Sequence, residues 1–563
     1  MEKFSSLEYR HIKAEEIEPR LTAFAEGMEK AESYVEMKRV FLDYEALMEE
    51  LETYYSTAYI RNTIDTTDKF YEGEVLYYGE AFARLTGVFL RINHAIAESR
   101  FTAELSADFG SQIVKNAEVA CMVQTEKNAD LMVREEILKN EYSKVAASCK
   151  VEFMGKECNF YGLLAHMEST DRAERKAAFE EWAKLYEGIS EKLDSIYDEL
   201  VSIRVEMAKN AGYDSFLPYI YLSRGHYDWT LEDCKSFKRQ VKEIITPAVN
   251  ELYSRQAKRL GVDKLHIYDE KLIFPEGNAK PTGTPEEMVA AAGKMYNEIS
   301  PETGEFFAFM REHELFDLLS KPGKHLGGYM TSLPLFKAPF IFSNFNGTSA
   351  DIDVLTHEAG HAFQYYLSSR IQPIAEMCGS TSDINEIHSM TMEHFAYPYM
   401  SYFCGENADK YRSAHLFGAL ETIPYLVSVD EFQQKVFENP TMTAADRRAL
   451  WKSIEEEFMP WRDYDGNEFL SGGGYWMQKQ HIFLYPFYYV EYALSQICAF
   501  QYYTLMKKDR HQAFSNYLDL CRAGGSKGYL ELLKTGSLES PFADGTVKKA
   551  VSGVIEELNT LFK

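Results

Sequence analysis

The sequence predicts a mainly α-helical protein of two lobes that also contains one small, irregular β-sheet. Apolar residues recur at helical spacing through most of the first 260 positions, whereas residues 326–346 are rich in aromatic and β-forming residues interrupted by prolines. The chain has 563 residues, which is more than one hydrophobic core usually serves. We therefore expect an N-terminal helical region over residues 1–190 and a second region over residues 191–563.

The N-terminal helices are predicted from an apolar stripe that has Glu and Lys on the opposite face. Its spacing is clear at Val40, Phe41, Tyr44, Leu47 and Leu51. Residues 274–285, FPEGNAKPTGTP, interrupt this pattern and predict a surface loop or a junction between lobes. A new helix is expected directly afterwards, because Thr284, Pro285 and Glu287 have the arrangement of a capping box with proline at the first helical position.

The β-sheet is predicted from the segment GGYMTSLPLFKAPFIFSNFNG. Pro334 and Pro339 are expected to confine its strands to edges or bends. An exposed strand edge can bind an extended peptide through backbone hydrogen bonds, which makes Gly328 and Tyr329 candidate binding residues. A hairpin that only covers a helix explains the pattern equally well.

A helix that carries candidate catalytic residues is predicted to begin after a cap at Thr348 or Ser349 and to continue through the pentapeptide HEAGH. His357 and His361 are four residues apart, so their side chains lie on one helix face and can bind one metal ion. Glu358 lies beside that ion without binding it. Zinc hydrolysis needs both a Lewis acid and a carboxylate that accepts a proton from water, and HExxH supplies both within one turn.

A third metal ligand is expected from the next predicted helix, residues 382–397, SDINEIHSMTMEHFAY. Packing of this helix across HEAGH would bring Glu386 to the two histidines, which leaves one coordination position open for catalysis. His388 and His394 compete for the same role. We favour Glu386, because two histidines and one glutamate are the commoner ligand set of peptide-cleaving zinc sites.

The segment from His481 to Met506 contains Glu491 as its only formal charge, so a membrane span is one interpretation. Its six tyrosines, its glutamines and Pro486 would be costly in lipid. They favour instead a buried helix that lines a wet cavity.

The overall charge excludes several classes of partner. Lys and Arg total 60 against 87 Asp and Glu, a net charge of −27, and no basic groove is apparent, so neither nucleic acid nor an anionic membrane is expected to bind.

The eight cysteines are scattered without a CxxC motif and are expected to be reduced thiols. The N-terminal residues have no apolar segment of the secretory type, so a cytoplasmic location is expected.

HEAGHAFQ followed by NEIHSMTME resembles the thimet oligopeptidase and oligoendopeptidase F family of zinc metallopeptidases, the Pz-peptidase-like enzymes. The resemblance implies one Zn²⁺ per chain, with His357, His361 and Glu386 as ligands and Glu358 as general base. It also implies that helical lobes enclose a substrate channel, with the small sheet beside the HExxH helix. Residues 191–563 would then form the catalytic region.

Further site residues follow from the same resemblance. The segment HIFLYPFYYVEYALS is similar to the tyrosine-rich segment with which the family closes over its substrate. Tyr489 and Tyr492 are therefore predicted to donate hydrogen bonds to the scissile carbonyl or the substrate backbone, with His481 as a helper and Tyr485 in substrate binding. Tyrosines at helical spacing also occur as ordinary core residues.

The sequence leaves two questions about residues near the predicted ligands undecided. Glu393 or Asp383 is a candidate to orient a ligand histidine through a hydrogen bond. After the ligand glutamate the chain has Ile387 and His388 where the family pattern suggests small residues, so His388 is a second candidate to contact metal or substrate.

The favoured hypothesis is an endopeptidase that cleaves short oligopeptides with a metal-activated water. One alternative is a zinc exopeptidase or another amide hydrolase with the same metal site. Another is a non-enzymatic helical binding protein whose metal is structural or absent.

Overall fold

A computed structural model describes residues 1–562. Helices dominate, and the five strands are short, which confirms the predicted mainly α fold with small sheets. The α-helices are α1 (Ala14–Glu29), α2 (Tyr34–Ile64), α3 (Lys69–Ala97), α4 (Thr102–Phe109), α5 (Gln112–Val123), α6 (Ala129–Ser148), α7 (Phe160–His166), α8 (Arg172–Asn210), α9 (Phe216–Ser223), α10 (Leu231–Gln240), α11 (Thr246–Leu260), α12 (Pro285–Ile299), α13 (Pro301–Glu312), α14 (Ala350–Ser368), α15 (Ser382–Ala396), α16 (Ser401–Cys404), α17 (Ala408–Glu438), α18 (Ala444–Phe458), α19 (Glu468–Ser471), α20 (Gln480–Leu484), α21 (Tyr489–Lys508), α22 (Arg510–Ala523), α23 (Tyr529–Thr535) and α24 (Thr546–Leu561).

The chain forms two compact units, each built from three separate stretches of sequence. The first unit contains residues 1–124, 280–409 and 502–539. The second contains residues 125–279, 410–501 and the chain from 540 onward. The proposed division of the sequence at residue 190 stays a prediction. Within the first unit, α1, α2, α3 and α5 share a core of fully or nearly fully buried side chains that includes Leu21, Phe41, Leu85 and Ile113.

A three-stranded sheet in the first unit lies beside α14, the helix that contains HEAGH. Strands β3 (Phe316–Leu319), β4 (Tyr329–Leu333) and β5 (Ala338–Phe345) are ordered β3-β5-β4, with β3 parallel and β4 antiparallel to β5. Pro339 lies in the central strand, contrary to the expected edge or bend. It is tolerated there because β3 pairs only with the part of β5 from Ile341 onward, so the missing N–H of Pro339 interrupts no bond to β3.

Three short strands were not predicted from the sequence. Strands β1 (Val151–Phe153) and β2 (Lys156–Cys158) form an antiparallel hairpin in the second unit, where only helices were expected. Met154 and Gly155 make its turn, and both have positive φ. Strand β3 was missed as well. Segments of three or four residues are too short to show the alternation that identifies a strand.

The starts of α12 and α14 were both predicted correctly, but only α12 has the predicted side-chain cap. The Thr284 side chain accepts from the Glu287 N–H and completes a capping box. Ser349 takes the N-cap position of α14, but its hydroxyl makes no capping bond. The carboxylate of Asp351 instead accepts the N–H groups of Asn346 and Gly347, so the turn before the helix is held from inside the helix.

No helix within residues 1–562 has an apolar stretch long enough to cross a membrane. All eight cysteines are free thiols, as expected.

Gly360, inside the HEAGH motif, allows α14 and α15 to pack closely. A Cβ atom at this position would lie 2.6 Å from the Cα of Ser389 and 2.9 Å from the carbonyl oxygen of His388. Both atoms belong to the backbone of α15 and cannot move away as a flexible side chain would. The glycine therefore sets the distance between the two helices.

Replacing Gly360 with alanine is expected to lower the free energy of unfolding by about 1–3 kcal/mol, because the added methyl group forces α14 and α15 apart. Thermal and urea denaturation of the metal-free protein measure the change. Gly418→Ala on α17 is the matched control, since nothing lies within 4 Å of its new Cβ and alanine favours a helix. Equal stabilities of the two variants would refute the role assigned to Gly360.

Candidate metal centre

Helix α14 presents His357 and His361 on one face, as the four-residue spacing predicts. Their ring centroids are 5.0 Å apart and the ring planes are nearly perpendicular. Both side chains are half-buried, with 25% and 15% of their surface exposed. They leave a space between the two Nε2 atoms that faces α15.

Helix α15 brings Glu386 into that space. Its Oε2 lies 3.3 Å from His357 Nε2 and 3.6 Å from His361 Nε2. One ligand atom from each of the three residues lies within 4.8 Å of the other two. Three atoms that bind a tetrahedral zinc ion at about 2 Å are roughly 3.3 Å from one another, so the donor set fits Zn²⁺ in both chemistry and spacing.

The carboxyl of Glu386 is suited to a ligand because it is held ionised and in place. Burial alone would raise its pKa, but the His361 and His357 rings hold the pKa well below its usual value. The Ser389 hydroxyl donates to Glu386 Oε2 at 3.1 Å. The carboxylate is 5% exposed, so few waters compete with the histidines for it.

Glu393, and not Asp383, forms a hydrogen bond with a predicted ligand histidine. Its Oε1 lies 2.5 Å from His357 Nδ1, which donates to it, so Nε2 is the ring nitrogen that remains to bind a metal ion. Asp383, the other candidate, is buried at the start of α15 and accepts a hydrogen bond from the Thr381 hydroxyl. The structure therefore provides the carboxylate–histidine pair that accompanies most protein zinc sites.

The competing histidines of α15 lie elsewhere. His388 is fully buried, with Nδ1 at 3.4 Å from Cys521 Sγ on α22, and burial together with the charge of His361 lowers its pKa to about 3. His394 packs its ring against Tyr397 and Tyr503. Within residues 1–562 the cluster that could hold a metal ion consists of His357, His361 and Glu386.

The predicted tyrosines lie in the second unit. The His481 ring on α20 is 4.5 Å from the Tyr489 ring, and the Tyr492 hydroxyl donates to the hydroxyl of Tyr488 at 3.3 Å. Burial, with the charges of Lys479 and Arg224, lowers the pKa of His481 to about 4. Tyr485 is 55% exposed. Tyr488 also belongs to this cluster, although it was not predicted from the sequence. It lies two residues after Pro486 and before α21 begins, so helical spacing could not identify it.

The predicted peptide-binding strand is an edge strand of the first unit. Gly328 directly precedes β4, and Tyr329 is its first residue. The Tyr329 ring stacks on Phe342 with a centroid distance of 4.9 Å, and its hydroxyl pairs with Thr63 at 2.6 Å. These contacts fix Tyr329 in place, and its role in substrate binding stays a prediction.

The chain is similar to known peptidases in both sequence and fold. The profile of the peptidase M3 N-terminal domain matches residues 4–123, and that of peptidase family M3 matches residues 165–551. A 3.1 Å crystal structure of an oligoendopeptidase F is 41% identical with a TM-score of 0.93, covering 100% of this chain and 99% of that one. A Pz peptidase A solved with an inhibitor is also 41% identical, with a TM-score of 0.93 and 99% coverage of both chains.

Oligopeptidase PepF of Bacillus subtilis is 24% identical over 306 residues, and the alignment spans 52% of this chain and 44% of that protein. The family profile alone covers more than half of the chain and includes all of α14 and α15. These findings confirm the metallopeptidase family identified from HEAGHAFQ and NEIHSMTME. The chain belongs to peptidase family M3.

Proposed function

We propose that the protein is a zinc-dependent endopeptidase that hydrolyses internal peptide bonds of short oligopeptides. The observation that carries the proposal is that ligand atoms of His357, His361 and Glu386 lie within 4.8 Å of one another. Glu358, whose carboxylate is the proposed general base, directly follows His357 in the same helix. The similar proteins named oligoendopeptidase F and oligopeptidase support the same substrate class.

A bound Zn²⁺ would supply a Lewis acid that polarises the scissile carbonyl and makes a water molecule easier to deprotonate. Three protein side chains leave one position for that chemistry, as a catalytic site requires. The hydrogen bond to Glu393 keeps His357 in the tautomer and orientation that binding requires.

Glu358 acts as the general base. Its side chain is partly exposed and forms no hydrogen bond or ion pair within residues 1–562, so the carboxylate is available to a water and a substrate. It removes a proton from the attacking water and returns a proton to the amine that leaves when the peptide bond breaks. One carboxylate thereby serves both proton transfers.

Tyr489 and Tyr492 serve in this proposal as hydrogen-bond donors to the substrate. Burial raises the pKa of the Tyr489 hydroxyl, which keeps it protonated and able to donate. Phenylalanine at either position removes only the hydroxyl and is expected to lower kcat by up to about 10²–10³-fold, the effect of losing one donor to the developing oxyanion. Steady-state kinetics with unchanged metal content would establish the role, and unaltered kcat in both variants would exclude it.

The proposed activity is tested with an internally quenched peptide blocked at both ends. We expect cleavage at an internal bond, loss of activity with a zinc chelator, and recovery when Zn²⁺ is added back. Trimming of free-ended peptides without cleavage of the blocked one would indicate an exopeptidase. Tight metal binding without hydrolysis of any peptide would favour a structural metal site.

A further inference from the structure

A half-buried lysine lies beside the tyrosine cluster of the second unit. The ammonium nitrogen of Lys479, the residue before α20, is 4.8 Å from the centroid of the Tyr489 ring and 5.6 Å from that of Tyr425. Tyr425 is held by Gln478, whose side-chain amide donates to its hydroxyl. Within residues 1–562 the ammonium of Lys479 forms neither a hydrogen bond nor an ion pair, and its contacts are with the faces of these two aromatic rings.

The two lysines that are buried within residues 1–562, Lys238 and Lys324, are paired with carboxylates. The ammonium of Lys238 lies 2.9 Å from Asp430 and 2.7 Å from Glu431. That of Lys324 lies 2.5 Å from Asp317 and also donates to backbone carbonyls. Removing an ammonium from water without such a partner is unfavourable, and contacts with aromatic rings offset only part of the loss. Lys479 therefore retains an unused capacity to bind an anion.

The charge of Lys479 persists at neutral pH. Burial, together with the nearby charge of Lys271, lowers the pKa of Lys479 to about 8, so its ammonium remains mostly protonated at pH 7. The chain offers 87 Asp and Glu residues for pairing, yet none of the described ones lies against this group. A carboxylate that arrived here would meet an ammonium with all three N–H donors available.

We propose that Lys479 binds a carboxylate of the substrate oligopeptide and is a specificity-determining residue. This inference rests on the proposed function, because it assigns the ligand to the peptide that the enzyme cleaves. The carboxylate belongs either to the C-terminus of the peptide or to an Asp or Glu side chain, and both offer the same charge-assisted hydrogen bond. The rings of Tyr425 and Tyr489 hold the ammonium while the carboxylate accepts from it.

Peptide binding tests the proposal directly. Affinities are measured by calorimetry in the zinc-loaded Glu358→Gln protein, which keeps the peptide uncut. Three peptides of one length are compared: a neutral peptide with a free C-terminus, its C-terminal amide, and an amide with one internal Glu. Each is titrated with and without Lys479→Met. Lys452→Met, an exposed lysine on α18 of the same unit, controls for the general loss of a positive charge.

We expect at least one carboxylate peptide to bind about tenfold or more tightly than the neutral amide, as one charge-assisted hydrogen bond allows. Lys479→Met is expected to abolish this preference, whereas Lys452→Met retains it. A preference for the free C-terminus identifies the terminal carboxylate, and a preference for the Glu peptide identifies a side chain.

Two results would overturn the proposal: equal binding of all three peptides to the parent protein, or a preference that survives Lys479→Met. Turnover of the same peptides by the wild-type enzyme is measured in parallel. Carboxylate-dependent binding without any turnover would contradict the proposed peptidase function and leave the role of Lys479 in binding intact.

Discussion

Replacing Glu358 with glutamine is expected to lower kcat by about 10²–10⁴-fold, the usual contribution of a general base. Glutamine has nearly the same size and shape as glutamate but cannot accept a proton from water at neutral pH. The side chain of Glu358 forms no hydrogen bond or ion pair within residues 1–562. Removing its charge should therefore leave the packing of α14 unchanged. Steady-state cleavage of the blocked peptide measures kcat, and atomic absorption measures zinc per chain.

The metal content separates this explanation from its alternatives. We expect one zinc per chain in Glu358→Gln, as in the wild type, because the proposed ligands are His357, His361 and Glu386. Glu286→Gln is the matched control: it makes the same change at an exposed position of α12 and should leave both quantities unaltered. Full turnover in Glu358→Gln would refute the general base, and loss of zinc would show that Glu358 holds the metal.

The metal cluster was predictable because two of its members depend only on helix geometry. His357 and His361 must share a face if residues 350–368 are helical, and the predicted cap at Thr348 or Ser349 indicated that helix. Glu386 required one further assumption, that the next helix crosses this one. The choice of Glu393 over Asp383 was beyond the sequence, because both are on α15 and only the crossing of the helices decides which carboxylate faces His357.

The fold was predictable to the extent that local patterns determine it. Long helices such as α2 and α8 carry many repeats of an apolar stripe, whereas β1, β2 and β3 have three or four residues each and carry none. The stretches of chain that form each compact unit could not be predicted either, because each unit joins segments that are far apart in the sequence. Gly360 illustrates the same limit: its close contact with Ser389 is a property of packing between helices, which local sequence does not encode.

Replacing Glu386 with alanine is expected to weaken zinc binding far more than replacing Glu393 with glutamine. Glu386→Ala removes one of three ligands, whereas Glu393→Gln removes an outer hydrogen-bond partner of His357, a loss that typically weakens metal binding by about 10–100-fold. Competition with a chromophoric chelator should therefore rank the affinities as wild type, then Glu393→Gln, then Glu386→Ala. Peptide cleavage at limiting zinc should follow the same order.

Thermal unfolding gives a second and independent measurement. A metal that binds only the folded state raises Tm in proportion to the logarithm of its concentration over its dissociation constant. Zinc should thus stabilise the wild type strongly, Glu393→Gln less, and Glu386→Ala least, while the metal-free proteins show whether either change disturbs folding. Wild-type zinc affinity in Glu386→Ala would mean that a different side chain completes the site. His388 would then be the first to examine, although it would have to leave its buried position beside Cys521 to reach the ion.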